Sequence, residues 1–258
     1  MVSVCKSMFF SARSTQVEYF DAPTRSFAEV CDGYRHLAQV NQFFRFAEPF
    51  QRLIPRFMGS MGCQNLSILD LGAGDGTLGK ELSLWAEQRG WQWRFTSLDL
   101  NARALSLNRH HASVAASVTH LPFKDASFDL VIASQMTHHL GSDADICRHF
   151  AEAGRVARQA VFLNDLHRNM VLYGFIWILL HLRPYPRHFR QDGYTSVKRG
   201  FRVKEWKELA RRAGLRNARV WFYFGAKVML YAPRDSAVTP GSRMTGDHPA
   251  FRVAHRHH

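Results

Sequence analysis

The segment between Ser67 and Thr77 constrains the fold more than any other, because an apolar run leads directly into three alternating glycines. The apolar run 67–71 predicts a short buried strand, and the residues that follow Gly76 predict a helix. Glycine is required where a backbone turns tightly or approaches a ligand closely. A strand, a glycine turn and a helix N-terminus in this order form a nucleotide site in α/β proteins.

The spacing of the glycines distinguishes two kinds of nucleotide site. Dinucleotide-binding proteins carry G-x-G-x-x-G, whereas Thr77 stands here at the position of the third glycine. Instead Gly72, Gly74 and Gly76 alternate, and Asp70 lies two residues before the first of them. This D-x-G-x-G-x-G pattern resembles motif I of the class I S-adenosylmethionine-dependent methyltransferases.

An acidic residue after the second predicted strand, 94–98, adds to this resemblance. Asp99 follows the glycine turn by roughly 20 residues, where a carboxylate holds a ribose hydroxyl pair in nucleotide sites. A carboxylate suits this role because it accepts both hydroxyl protons.

A third motif, L-P-F-x-D-x-S-F-D-x-V at residues 121–131, is shared by many small-molecule methyltransferases. In that family an Asp-Ala pair beside the adenine precedes the motif, and Ser117 and Val118 stand at the matching positions here. The resemblance implies that S-adenosyl-L-methionine is the cofactor. The residues expected to bind it are Asp70, Gly72, Ala73, Gly74, Asp99, Leu100, Ser117, Val118 and Ser134.

The remaining periodicity predicts a doubly wound, Rossmann-like α/β fold. Strands at 67–71, 94–98, 115–118, 128–134 and 159–164 alternate with helices at 77–88, 102–108, 143–155 and 203–213. Two further strands, 217–224 and 226–232, are too closely linked for a crossover helix and predict an antiparallel hairpin. Such a pattern gives a seven-stranded sheet with its last strand antiparallel. The resemblance implies the strand order 3-2-1-4-5-7-6.

Three parts are expected along the 258 residues. Residues 1–60 are expected to form a helical cap over the nucleotide edge, with helices at 27–44 and 48–57. Residues 61–235 form the methyltransferase domain, and 236–258 read as a disordered tail, since they mix Pro, Gly, Ser, Arg and His without periodicity. The four cysteines include no C-x-x-C, so we expect no metal site and no disulfide framework, and a cytoplasmic protein.

Positive charge is concentrated in one region of the chain. The net charge is +13, and residues 183–219 contain twelve Lys/Arg against three acidic residues. A region of this kind favours an anionic partner such as nucleic acid, a membrane surface or an acidic substrate. The alternative is a solvated basic helix face.

The run MVLYGFIWILLHL at 170–182 is almost entirely apolar. With thirteen residues it is shorter than the ~20 that a membrane-spanning helix needs. Three interpretations remain open: a fully buried helix, a lid over an apolar substrate pocket, or a helix on the membrane surface.

Candidate catalytic residues follow the fourth and fifth strands, because open α/β sheets bind ligands at the carboxyl ends of their strands. A hydroxyl acceptor must lose a proton, and histidine can take it near neutral pH. We expect His167 to be this base, with Asp165 orienting it, and Phe175 and Trp177 to form the pocket wall above it. His139, with its neighbour His138, is the alternative.

A wider resemblance concerns N-D-L-H-R at 164–168, followed by D-G-x-x-S-x-x-R-x-F at 192–201. Both patterns are similar to a bacterial subgroup of methyltransferases associated with polyketide, quinone and other secondary-metabolite pathways. The resemblance covers residues 18–233.

The sequence lacks the Asp/Asn-Pro-Pro-Tyr/Phe motif of amino-methylating enzymes and the Pro-Cys nucleophile of cytosine C5 chemistry. We therefore expect O-methylation of an apolar small molecule of phenol, pyrone or quinol type, with a carbon acceptor left open. The alternatives are an RNA methyltransferase that uses the basic region and a non-catalytic cofactor-binding protein.

Overall fold

The computed structural model describes residues 10–21, 25–224 and 226–234, without the side chains at positions 60 and 61. The predicted tail at 236–258 lies outside the described residues.

A seven-stranded sheet forms the centre of the molecule, in the order β3-β2-β1-β4-β5-β7-β6. β7 pairs antiparallel with β5 and β6, and the pairs among the other strands are parallel. This order and the antiparallel last strand confirm the predicted fold class. The strands are β1 Asn65–Leu71, β2 Gln92–Asp99, β3 Ala112–Ala115, β4 Phe128–Ser134, β5 Ala157–Leu166, β6 Arg219–Tyr223 and β7 Lys227–Pro233.

Eight α-helices accompany the strands within the described residues. They are α1 Phe27–Phe44, α2 Glu48–Gly62, α3 Thr77–Glu87, α4 Ala102–Leu105, α5 Asp143–Val156, α6 Met170–His181, α7 Arg187–Arg199 and α8 Val203–Arg212. Their starts follow the usual chemistry of helix N-termini: Ser26 and Glu29 form a capping box on α1, and the Ser142 and Asn169 side chains cap α5 and α6.

The core has one apolar layer on each face of the sheet, because successive strand residues point to opposite sides. On one face Leu69 and Val131 pack in a cluster with Phe150 of α5 and Trp206 of α8. On the other face Ile68, Leu130 and Ile132 pack with residues of α2 and α3. The two layers hold β1 and β4 rigidly, and this fixes the position of the loops at their carboxyl ends.

Several boundaries differ from those predicted, among them those of the third strand and of the helix after β2. The third strand lies at Ala112–Ala115, because these residues pair with β2 in register, and the predicted 115–118 is mostly loop. The predicted helix 102–108 ends at Leu105, since the Asn108 side chain accepts the backbone N–H groups of His110 and His111.

The apolar run folds as α6, and the interpretation of a fully buried helix is wrong. Leu172, Ile176 and Leu180 are buried, whereas Val171 is 82% exposed and Ile178 52% exposed. Within the described ranges, no helix combines the length and the apolar character needed to cross a bilayer.

Candidate functional site

A cavity of about 1080 Å³ lies at the carboxyl ends of β1, β2 and β4 and extends under α1, α6 and α7. This is the place where open α/β sheets bind ligands. All nine residues predicted to bind the cofactor line it: Asp70, Gly72, Ala73, Gly74, Asp99, Leu100, Ser117, Val118 and Ser134.

The glycine turn after β1 leaves no room for side chains. Gly72 and Gly74 have φ values of 69° and 56°, in the left-handed region that favours glycine. A Cβ at Gly72 would collide with Met136, and one at Gly74 would lie 2.5 Å from the Tyr34 ring. The turn lines the cavity, and its backbone angles and its close packing against Met136 and Tyr34 require glycine at both positions.

Asp70 is a buried carboxylate beneath this turn. It is 1% exposed, and its Oδ2 has no hydrogen-bond partner among the described residues. Burial, together with the nearby charges of Asp99 and Asp75, raises the pKa of Asp70 to about 8. An unpartnered buried carboxylate of this kind fits a cationic ligand group, which would stabilise the ionised form.

Asp99 connects the end of β2 to the glycine turn. Its Oδ2 accepts the backbone N–H of Gly74 at 2.9 Å, and its Oδ1 accepts that of Asn101 at 2.8 Å. Each carboxylate oxygen keeps a second lone pair, so Asp99 can also hold a pair of ribose hydroxyls. Burial raises the pKa of Asp99 above its ordinary value, although these backbone hydrogen bonds oppose the rise.

Tyr34 of α1 packs over the glycine turn. Its ring lies against Gly74 and lines the cavity. Burial and the charges of Asp99, Asp75 and Asp21 raise the pKa of Tyr34 well above its ordinary value, so its hydroxyl stays neutral. α1 thus places a neutral aromatic ring over the predicted cofactor site.

His138 and Asp165 form a buried pair at the ends of β4 and β5. Asp165 accepts the His138 backbone N–H at 2.8 Å and lies 2.6 Å from ring Nδ1. Burial raises the pKa of Asp165, but the charge and hydrogen bonds of His138 more than offset this and hold it below its ordinary value. In the neutral form of the His138 ring, an ionised Asp165 favours the proton on Nδ1, and Nε2 is then an acceptor.

The free side of His138 faces the cavity and a second carboxylate. Its Nε2 lies 3.6 Å from Oε1 of Glu18, an oxygen with no hydrogen-bond partner among the described residues. Both His138 and Glu18 line the cavity. Asp165 is fully buried behind His138 and is not among the described residues that line the cavity.

His139 points into the same cavity and is held by Asp21, with Nδ1 and Oδ1 2.7 Å apart. Burial lowers the pKa of His139, but the carboxylates of Glu18 and Asp21 outweigh this and raise it to about 9. His139 is therefore a cation at neutral pH. Arg199 fixes the pair, because it donates to Asp21 at 2.9 Å and to the His139 carbonyl at 2.6 Å.

One helix holds the N-terminal segment at this site. On α7, Asp192 accepts the backbone N–H groups of Tyr19 at 2.7 Å and Phe20 at 3.1 Å. Ser196 donates to Glu18 at 2.9 Å. Asp192, Ser196 and Arg199 are the polar residues of the D-G-x-x-S-x-x-R-x-F pattern. Their hydrogen bonds hold residues 18–21 against the cavity wall.

Sequence reasoning missed Glu18 and Asp21 altogether. No motif surrounds them, and the only available signal was the Asp, Ser and Arg spacing on α7, whose partners cannot be read from the sequence.

The structure places His167 away from the cavity, which corrects the predicted base. β5 continues to Leu166, and His167 forms a bridge with Phe201 beyond it. The His167 ring packs on Phe222, and Nδ1 lies 3.0 Å from the Asn169 amide. Burial and the charges of Arg168 and Arg202 lower the pKa of His167.

The side chains of α6 that line the cavity are not those predicted. Phe175 and Trp177 are 45% and 49% exposed and are not among the described residues that line the cavity. Ile176 and Leu180, on the opposite face of α6, line it instead.

Glu18, His138 and His139 offer ligand atoms within 4.8 Å of one another, an arrangement that could hold a metal ion. The guanidinium of Arg199 lies 3.8 Å from Glu18 Oε1 and would repel a cation there. The protonated His139 also offers no lone pair at Nε2. The cluster is therefore better suited to acid–base chemistry.

Residues 69–163 match the protein-family model of the methyltransferase domain. A malonyl-[acyl-carrier protein] O-methyltransferase of Legionella pneumophila is 30% identical over 122 residues, which cover 45% of this chain and 39% of that protein. The chain thus matches less than half the length of this curated relative.

Solved structures show the same fold at low sequence identity. The plantazolicin methyltransferase BpumL, in complex with a monoazolic desmethylPZN analog and SAH, is 12% identical with a TM-score of 0.61, covering 91% of this chain and 96% of that one. A SAM-dependent methyltransferase from Aquifex aeolicus is 12% identical with a TM-score of 0.53, covering 82% of this chain and 100% of that one.

Proposed function

Because the chain has a class I S-adenosylmethionine-dependent methyltransferase domain, we propose that it transfers a methyl group from this cofactor to a hydroxyl group of an apolar small molecule. One observation carries the proposal: one cavity is lined by the glycine turn, by apolar side chains of three helices and by His138, which pairs with the buried Asp165 behind it. The cofactor and the acceptor would meet in this cavity.

The cofactor end of the cavity fits S-adenosylmethionine, which supplies a methyl group activated by its bond to a sulfonium. In this proposal Asp70 holds the cationic amino group, Asp99 holds the ribose hydroxyls, and Ser117 and Val118 lie beside the adenine. Gly72 and Gly74 line this end of the cavity. Of the predicted cap at 1–60, α1 is proposed to cover the cavity, whereas α2 packs on the sheet with the methyltransferase domain proposed at 61–235.

The acceptor end of the cavity is largely apolar. Its wall is built by side chains from three helices, namely Leu37, Val40 and Phe44 of α1, Ile176 and Leu180 of α6, and Phe189 of α7. A wall of this kind gains free energy from burying an apolar acceptor, and it excludes water from the transfer step.

His138 is proposed as the base that takes the acceptor's proton, with Asp165 as its positioning residue. Nε2 is the free acceptor nitrogen and faces the cavity. The cationic His139 would stabilise the negative charge that develops on the acceptor oxygen. A positioned base contributes about 10²–10⁴-fold to such a step.

A base at this position suits a hydroxyl acceptor, because a hydroxyl must lose a proton in the transfer; a carbon acceptor would need the same base. The name of the Legionella relative also gives oxygen as the methylated atom, there on malonyl-[acyl-carrier protein]. We propose an acceptor of the phenol, pyrone or quinol class, because such molecules combine an apolar ring with an ionisable hydroxyl. The proposed role of the enzyme is in secondary metabolism.

The rival functions have less support. Several arginines of the basic region bind acidic groups or carbonyls of the protein itself, among them Arg199, Arg211 and Arg212. RNA binding would fall steeply with salt, and methyl transfer to a small molecule would not. A non-catalytic cofactor-binding protein has no use for a buried His–Asp pair facing the acceptor end.

The test is an extract assay with S-adenosylmethionine labelled in its methyl group. Wild-type protein should label an apolar, organic-extractable product, and His138→Gln should label far less of it. The matched control is His110→Gln, an exposed histidine outside the cavity lining among the described residues. Label in the nucleic-acid fraction alone would contradict the proposal.

A further inference from the structure

α6 carries two apolar faces with different surroundings. One face points into the protein, where Ile176 and Leu180 line the cavity. The other is a stripe at spacings of four, three and four residues, which places its members on one side of a helix. The stripe is exposed to solvent: Val171 82%, Phe175 45%, Ile178 52% and Leu182 77%.

The stripe continues onto α1. Phe43 is 53% exposed, and its ring stacks on Phe175 with centroids 6.2 Å apart. Trp177, 49% exposed, lies on α6 beside the stripe. We call this surface the apolar face; it consists of Phe43, Val171, Phe175, Trp177, Ile178 and Leu182. A patch of six exposed, large apolar side chains of this kind marks an interaction site.

Positive charge borders the apolar face on one side. Arg183 lies two residues after α6 and Arg187 begins α7, and both are exposed without an acidic partner among the described residues. No acidic residue occurs between positions 166 and 191. This segment attracts anionic groups and itself carries no carboxylate to repel them.

We propose that the apolar face docks on an anionic lipid surface, with α6 lying in the interface. Its twelve residues span about 18 Å, too short to cross a bilayer but long enough to lie in its plane. Trp and Phe on the apolar side and Arg at the border are the composition of interfacial helices.

The position of the cavity favours lipid over a protein partner. α6 alone separates the apolar face from the wall formed by Ile176 and Leu180. An apolar acceptor concentrates in a bilayer, so docking by this face would place the cavity next to its source. The benefit of placing the cavity next to the acceptor's source rests on the proposed function, whereas docking on a lipid surface does not.

The test is sedimentation with vesicles of phosphatidylcholine containing about one third phosphatidylglycerol. Wild-type protein should bind them, and Val171→Glu/Ile178→Glu should bind at least about tenfold more weakly. The matched control, Leu84→Glu, changes an equally exposed leucine on α3 (50%) and should bind like wild type. Arg183→Glu/Arg187→Glu should lose binding to anionic vesicles in the same way.

Each variant is checked for unchanged affinity for S-adenosylhomocysteine, so that a folding defect is recognised. Wild-type protein that stays in the supernatant, or a face variant that binds like wild type, overturns docking. Saturable binding of a protein to the apolar face, without binding to vesicles, also overturns docking on lipid. If only the proposed function fails, vesicle binding persists and no acceptor is labelled; if only docking fails, a detergent-solubilised acceptor is still methylated.

Discussion

Asp165 accepts a hydrogen bond from the His138 backbone N–H at 2.8 Å, and its other oxygen lies 2.6 Å from ring Nδ1 of the same residue. One carboxylate on β5 thereby fixes both the position and the tautomer of a histidine that follows β4. The geometry places Nε2 toward the cavity, which is the orientation that a base requires.

Replacement of Asp165 by Asn should lower turnover by about 10²–10⁴-fold, because the amide can stabilise the wrong ring tautomer and no longer balances a histidine cation. The affinity for S-adenosylhomocysteine should stay within about twofold of wild type. Steady-state kinetics on the labelled acceptor, across pH 6–9, would measure this. Equal turnover in Asp165→Asn and in the His110→Gln control would remove His138 as the base.

Cofactor binding should release protons at neutral pH. The pKa of Asp70, raised to about 8 by burial and by Asp99 and Asp75, means that this carboxyl is mostly protonated at pH 7 in the free protein. A cationic amino group beside it would favour the ionised form. Calorimetry at pH 7 in buffers of different ionisation enthalpy should show release of nearly one proton by wild type and far less by Asp70→Asn. Identical proton release in the two proteins would show that Asp70 does not face the cofactor.

The N-terminal segment should matter for the acceptor more than for the cofactor. Asp192→Ala leaves the N–H groups of Tyr19 and Phe20 without their acceptor, at a cost of about 1–3 kcal/mol, and should lower the melting temperature by several degrees. Ser196→Ala frees Glu18 separately. Both variants should raise KM for the acceptor and leave S-adenosylhomocysteine affinity nearly unchanged. An equal loss of both affinities would place residues 18–21 at the cofactor instead.

Stability should fall at alkaline pH through His139. Its pKa of about 9 in the folded protein lies above the ordinary 6.5, so its stabilisation is complete below pH 6.5 and is lost as pH rises through 9. The effect should be at most about 1 kcal/mol, since the side chain is one third exposed. Between pH 7 and 9.5 the melting temperature of wild type should fall by a few degrees more than that of His139→Gln. Parallel curves would contradict the His139–Asp21 pair.

The placement of the nine predicted cofactor-binding residues around one cavity was predictable from sequence because its constraints are local. Gly72 and Gly74 are required by backbone angles and close contacts within a short strand–turn–helix unit. Asp99 is placed by its position at the end of a strand that pairs with β1. All nine predicted residues therefore line one cavity.

The acceptor half was not predictable, because it depends on contacts between distant segments. Glu18 and Asp21 reach the site only through Ser196 and Arg199, more than 170 residues away along the chain. The His167 prediction failed because β5 runs two residues further than expected, and the strand end that faces His138 is Asp165. In α6 nearly every position is apolar, so the pattern could not show which face is exposed.

The most direct test of the methyltransferase account is calorimetric titration of S-adenosylhomocysteine into wild type and Asp99→Ala. We predict one binding site in wild type and a loss of about 1.5–3 kcal/mol in the variant, roughly 10- to 150-fold in affinity. Asp125→Ala, which removes an exposed carboxylate outside the cavity lining among the described residues, should bind like wild type. Absence of binding by wild type, or equal affinity in Asp99→Ala, would contradict the account.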